Sequence, residues 1–397
     1  MKRTLLGVWV LTGLAACDEP TRPTAPSVAP PAAAAVEQRF TVRDLGTLGG
    51  RTSAALGINE LAEVVGRSDI PSGASRAFLW RAGQGMQDLG TLGGSNSVAE
   101  GINDRSQVVG TSDLPSFHAR AFVWSQAGGM RDLGTLGGPS SHGDAINNRG
   151  EVVGSGQLPN LHFQAFLWRP GLGMQSLGTL GGATSQAIDI NDHTHVVGFS
   201  DMADGNQHAF LWTPARGMED LGTLGGAFSA ASGISKTGKV VGLSETAAGT
   251  VEAFLWTRGG GMRSLGTLGE ASSAFSINTR RQVVGTSSGP FLWTRASGMR
   301  PLPGGLGSAG SALDLNDVGQ IVGFIFTPGT LFATHATLWT PTGGSLAVGS
   351  TDPGAAAEVA APPAVPPDTR SALCALGRTW GDRSRFGIVA SRACLAR

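Results

Sequence analysis

The pentapeptide Leu-Gly-Thr-Leu-Gly returns with its first leucine at Leu45, Leu89, Leu133, Leu177, Leu221 and Leu265, a step of 44 residues each time. A fixed period of that length marks one supersecondary unit copied along the chain, and such units bury their apolar faces only against one another. A decayed seventh copy reads Leu302-Pro303-Gly304-Gly305-Leu306-Gly307. The tryptophans agree: Trp80, Trp124, Trp168, Trp212, Trp256, Trp293 and Trp339 each end a Phe-Leu-Trp-like triplet, giving seven units with the sixth shortened.

Within a unit the apolar period is two, which is the period of strands rather than helices. In the first unit the pattern predicts strands over residues 53–58, 63–68, 77–80 and 86–89, separated by Gly and Asn/Asp turns. Phe78 and Trp80 share one face of their strand while Leu79 takes the other, so both faces of the small sheet are apolar. Sheets of that kind have to be sandwiched. The prediction is an all-β fold, a seven-bladed β-propeller of four-stranded antiparallel blades spanning residues 39–350. An open β-solenoid, the other way to stack repeats, would need atypical capping units at both ends.

The ends offer a closing strand instead. Residues 42–46 read as a fourth strand with no three before it, and residues 345–349 fall in the same register after Trp339. Closure of the last blade by the N-terminal strand is expected, with residues 345–349 displaced or added at its edge. That order makes residues 53–58 and their equivalents the innermost strands, where Ala, Ser and Gly suit a crowded axis.

Outside the repeats the chain changes character. Lys2 and Arg3 precede a short apolar run that ends in Leu14-Ala15-Ala16-Cys17. The run is too short for a permanent membrane span, and it reads as a signal peptide over residues 1–16. The last four residues resemble a bacterial lipobox, which makes Cys17 the expected lipidation site and first mature residue. Residues 17–38 are a Pro/Ala-rich tether and residues 351–368 an Ala/Pro-rich linker; neither holds enough large apolar residues to bury a core. A C-terminal tail, 369–397, carries Cys374 and Cys394, a candidate disulfide in an oxidising compartment. The expected address is therefore the bacterial cell envelope, as a lipoprotein on the periplasmic side or the cell surface, touching membrane through its lipid anchor only.

Charge narrows the partners. With 29 basic and 29 acidic residues the chain lacks the positive excess that nucleic-acid binding requires. Tyrosine is absent and lysine occurs only at Lys2, Lys236 and Lys239, which removes most lysine and all tyrosine catalysis.

The combination Asp-Leu-Gly-Thr-Leu-Gly-Gly, Gly-Ile-Asn-Asp, Val-Val-Gly and Ala-Phe-Leu-Trp resembles the HAF repeat of bacterial exported proteins, over about four-fifths of the chain. The resemblance implies an exported repeat protein without a defined catalytic role. The His-Ala-Phe triplet that names the repeat survives at His208, with a degraded copy at His335; Arg76, Arg120, Gln164 and Glu252 stand there in other units.

The connection between second and third strands varies most in length, and variable loops on a rigid frame are where binding residues gather. That face is expected to carry Asp69, Asp113, Phe117, His118, His162, Asp201, His208, Glu245, Phe326 and Phe332. Three aspartates on innermost strands, Asp144, Asp189 and Asp314, are candidates for the channel mouth. The Asn-Asp turns at Asn103, Asn191 and Asn316 read as turn chemistry rather than calcium loops, since one carboxylate per loop is too few. His193 and His195 supply two nitrogens where zinc needs three or four ligands, so no metal is expected. The glycine-rich segments lack the lysine of a phosphate loop, and no nucleophile motif or cofactor fingerprint stands out. The expected function is a monomeric binding or scaffold module for a protein or glycan, without cofactor; the alternative is a propeller-type hydrolase or lyase at the channel mouth.

Overall fold

A computed structural model describes residues 39–269, 271–304, 310–326 and 333–342. The signal peptide, Cys17, the tether, Phe332, residues 345–349, the linker and the tail with Cys374 and Cys394 lie outside these. Among the described residues every regular element is a strand, and the 28 strands fall into seven four-stranded antiparallel groups.

Blade 1 consists of Ser53–Ile58, Val64–Asp69, Ser75–Arg81 and Gly85–Asp88, paired in chain order. Blades 2 to 6 repeat that order. The sheets of blades 4 and 5 are joined by a single parallel pair, Gln207 with Phe228. In blade 7, Gly310–Leu315, Ile321–Phe326 and Thr334–Thr342 are completed by the N-terminal strand Arg39–Asp44. Six antiparallel pairs, from Arg39 with Thr342 to Asp44 with Thr337, fasten it. The chain thus closes a β-propeller with its own beginning.

The triplets behave as their spacing predicts. Phe78 and Trp80 pack with Val64 against Val322, Ala336 and Leu338 of blade 7, while Leu79 and Val65 pack against Val108, Phe122 and Trp124 of blade 2. Phe78, Val64 and Val65 are fully buried. At about 1.5–3 kcal/mol for each large apolar side chain removed from water, these clusters dominate the cohesion between blades.

Two devices carry the chain from the rim of one blade to the axis of the next. Gly46 and Gly49 take positive φ (+76° and +95°), and a Cβ on Gly50 would lie 2.4 Å from the backbone of Asp69. Then a serine at one repeat position, in or just before the inner strand of each of the first six blades, ties that strand to the blade before it. The Ser53 hydroxyl accepts the Ala336 amide of the neighbouring blade at 2.8 Å, and Ser97, Ser141, Ser185, Ser229 and Ser272 repeat that bond.

All seven inner strands contain a bulge at one position, between Ala55 and Gly57 in blade 1. The extra residue is Leu56, Glu100, Asp144, Ile188, Ser232, Phe275 or Leu313. Leu56, Ile188, Phe275 and Leu313, from four different blades, meet Phe199, Leu243 and Phe324 in one buried cluster. The bulge thereby directs a side chain toward the axis that a regular strand would direct elsewhere.

Candidate functional site

Two surfaces compete for function: the axial mouth, where the hairpins between first and second strands converge, and the opposite face, with the variable loops.

The mouth is a cavity of about 170 Å³ lined by all seven blades. Its base is a ring of aliphatic side chains that includes Ile58, Ile190, Ile234 and Leu315, and its rim is built from Asn-Asp turns and their replacements. In blade 1, Asn59 Oδ1 accepts the amides of Leu61 and Glu63 at 3.0 and 2.9 Å, shaping its own turn. Its Nδ2 donates across the blade boundary to the carbonyl of Asn103 at 3.1 Å. The same bond runs from Asn103 to Asn147, Asn147 to Asn191, Asn191 to Ser235, Asn278 to Asn316, and Asn316 back to Asn59. Six links belt the ring, and the link from position 235 to Asn278 is missing because serine has no amide.

The following residue forms a second belt. The amides of Glu60, Asp104, Asn148, Thr279 and Asp317 donate to the side chains of Asp104, Asn148, Asp192, Asp317 and Glu60 of the next blade, at 2.8–3.1 Å. The aspartates of the Asn-Asp turns are therefore acceptors for a neighbour's backbone. Among the described residues no group of three or more His, Cys, Asp or Glu side chains could hold a metal ion. Lys236 interrupts this belt and donates instead to Asp317 at 2.8 Å, with Glu60 Oε1 at 3.7 Å. Its hydrogen bond to Asp317 pushes the Lys236 ammonium above its ordinary value. Burial opposes ionisation of Asp317, but bonds from Lys236 and Thr279 outweigh it and hold that carboxyl low. Burial leaves Glu60 raised.

The three inner-strand aspartates are not equivalent. Asp144 is the axial bulge residue of its blade. Asp189 and Asp314 sit one position later, where blades 1, 2 and 5 have Gly57, Gly101 and Gly233. Both line the mouth, and each carboxylate accepts a backbone amide of the next blade: Ile234 to Asp189 at 2.8 Å and Ile58 to Asp314 at 3.0 Å. Asp144 lies within 3.4 Å of the Gln186 amide. His193 and His195 stand with ring centroids 5.9 Å apart, and burial with the His193 and Arg258 charges lowers His195.

On the opposite face the acidic candidates serve the fold. Asp69, Asp113, Asp201 and Glu245 stand last or next to last in second strands and accept bonds from the region where their own blade's first strand begins, at Thr52, Asn96, Thr184 and Ala227. His208 also has a partner: its Nδ1 lies 2.9 Å from Asp220 on the adjacent outer strand. The corresponding pairs are Arg76 with Asp88, Arg120 with Asp132, Gln164 with Ser176, Glu252 with Ser264 and His335 with Asp44. The histidine position is a cross-strand clasp, with aspartate opposite Arg or His and serine opposite Gln or Glu. Phe326 packs partly buried against the axial cluster, edge-on to Phe324.

Among the described residues of this face, Phe117, His118 and His162 of the expected set stand exposed, joined by Leu161. Phe117 is 91% exposed and Leu161 61% exposed, each followed by an exposed histidine, His118 and His162. Both tips adopt the left-handed region, φ 63° and 69°. The equivalent residues in blades 1, 4 and 5 are Gly73, Gly205 and Gly249, at φ 85°, 87° and 77°. The turns share one hydrogen-bond pattern, for example Gly73 to Ile70 and Phe117 to Leu114. Large side chains in neighbouring blades 2 and 3 thus occupy positions that favour glycine, at a cost of about 1 kcal/mol or more each. Leu161 escaped the loop-length argument; aligning the loop tips and asking which glycines are replaced would have found it.

No family model and no curated protein matches it. Among solved structures it is similar to a lectin from Burkholderia pseudomallei, at 9% identity and TM-score 0.48 over 74% of this chain and 97% of that one. It is also similar to TolB from Acinetobacter baumannii, at 12% identity and TM-score 0.41 over 70% of this chain, spanning 63% of TolB's own length. A gluconolactonase from Xanthomonas campestris matches at 11% identity and TM-score 0.36, over 77% and 95% of the two chains.

Proposed function

We propose that this β-propeller is an exported, lipid-anchored binding or scaffold module of the HAF-repeat kind, engaging a partner through its variable-loop face. Phe117 and Leu161 carry the reading. A folded chain rarely keeps large apolar side chains both exposed and in a glycine-favoured conformation, and strain of that kind concentrates at recognition sites. Two apolar tips flanked by His118 and His162 form an anchor with a polar rim, which suits a protein surface; a glycan is the second class to test.

What weighs against a hydrolase or lyase at the channel mouth is the occupation of its polar groups. Asp189 and Asp314 each hold a neighbouring blade's backbone, and the rim carboxylates Asp104, Asp192 and Asp317 do the same. A catalytic acid or base would have to abandon a bond that holds the ring together.

The test compares the full chain with a Phe117→Gly, Leu161→Gly variant by crosslinking to envelope proteins and on a glycan array. Capture should fall at least tenfold while the melting temperature holds or rises. Unchanged capture would remove the assignment. Turnover of ester or glycoside substrates, lost on Asp189→Asn or Asp314→Asn in a chain that still folds, would replace it with the enzymatic reading. The anchor is tested separately: Cys17→Ser should release the chain from the membrane fraction.

A further inference from the structure

The chain has eight methionines, and apart from Met1 and Met202 all of them occupy one position. Met86, Met130, Met174, Met218, Met262 and Met299 each follow the glycine that opens an outer strand. Each stands directly across from a tryptophan: Trp80, Trp124, Trp168, Trp212, Trp256 and Trp293. All six are half-buried and packed on the rim of an inter-blade apolar cluster, one per cluster. In blade 7 the partner of Trp339 is Val42, and that tryptophan is fully buried. Leucine would fill this place nearly as well, since the two side chains exchange in cores at small cost. Aliphatic packing alone therefore does not select a thioether six times, while the residue after each methionine changes among Gln, Arg and Glu (Gln87, Arg131, Gln175, Glu219, Arg263, Arg300).

We infer that these six thioethers are a sulfoxidation belt, modified by peroxide-class oxidants and coupling the oxidation state of the surroundings to the cohesion of the blades. The sulfur attacks one peroxide oxygen, the O–O bond breaks and an S–O bond forms. The second oxygen leaves as hydroxide and takes the proton from the oxygen now bound to sulfur, giving sulfoxide and water; sulfur loses two electrons and the peroxide gains them. The product is polar and lies at the edge of an apolar cluster beside an indole, so each event weakens one blade boundary. Both sulfoxide epimers are substrates for methionine sulfoxide reductases, which makes the change reversible.

The full chain is treated with hydrogen peroxide, mapped by peptide mass and melted. The expected result is one added oxygen at each of the six sites, a melting temperature that falls stepwise with their number, and recovery after incubation with both reductases. Oxidation at Met202, on the loop face and opposite Gly181, should leave the melting temperature unchanged. A variant with all six changed to Leu should melt like the untreated chain and no longer respond to peroxide. Should that variant fail to fold, Met130→Leu alone should remove an equal share of the response. An oxidised chain as stable as the reduced one would overturn the inference. So would a Met130→Leu variant that is destabilised before any peroxide is added, since the thioether would then be a packing element.

Discussion

Ser235 is the one place where the asparagine belt fails to bridge neighbouring blades, and repairing it tests whether the belt holds the ring. In six blades the asparagine Oδ1 shapes the turn and Nδ2 crosses to the next carbonyl. The Ser235 hydroxyl already performs the first task by accepting the Lys239 amide at 3.0 Å. Ser235→Asn keeps that bond through Oδ1 and adds one from Nδ2 to the carbonyl of Asn278, which lies in the buried ring. A buried neutral hydrogen bond contributes about 0.5–1.5 kcal/mol net, and ordering the longer side chain offsets part of it. The expected gain is about 0.5–1 kcal/mol, or about 1–2 °C in melting temperature for a domain larger than the usual 150–250 residues. The opposite change, Asn103→Ala, removes bonds to Asn147 and Gln107 and those from the Arg105 and Gln107 amides. It leaves buried groups unpaired and should cost about 2–4 kcal/mol. Calorimetric melting of the three chains, with exposed Asn160→Ala as control, decides the matter. A lower melting temperature for Ser235→Asn, or an Asn103→Ala loss no larger than that of Asn160→Ala, would refute the belt.

Deleting residues 39–44 strips blade 7 of its outer strand, and the ring should then lose cooperative unfolding in a denaturant titration; an unchanged midpoint would place closure elsewhere. Glu63 and Glu151 give an acid signature. Burial raises both carboxyls, but bonds from Ser106, Arg81 and Asn59, and from Thr194, Asn147 and Arg169, outweigh it and leave both below the ordinary range. Their contribution is therefore complete above the unfolded-state value and is lost as pH falls through the lower folded values, so Glu63→Gln with Glu151→Gln should flatten the stability profile in that acid window. His208→Arg should melt within about 0.5 kcal/mol of the parent, since arginine faces aspartate in blades 1 and 2 and exposed pairs contribute little; a larger loss would mean His208 does more than clasp Asp220.

The sequence by itself determined the architecture. The 44-residue step, the two-sided triplets and the strand at residue 42 without three predecessors contain the blade and its closure, because local strand pairing and burial on both faces are properties of the repeat. The inner position of residues 53–58 was legible for the same reason. The chemistry of individual side chains was not. Asp144, Asp189 and Asp314 look alike on paper, yet a bulge in every inner strand separates the first from the other two by one residue, and with it the direction each faces. The asparagine of each turn could be read as a turn former; its second bond needs a partner 44 residues away that only ring closure brings near. His208 reads as a lone surviving motif residue until the outer strand sets Asp220 beside it. Phe117 stood in the sequence as one loop residue among ten. Only the backbone showed that it and Leu161 hold a left-handed conformation that other blades give to glycine. Periodicity fixes which strands pair, whereas the role of a side chain depends on the neighbour that pairing delivers.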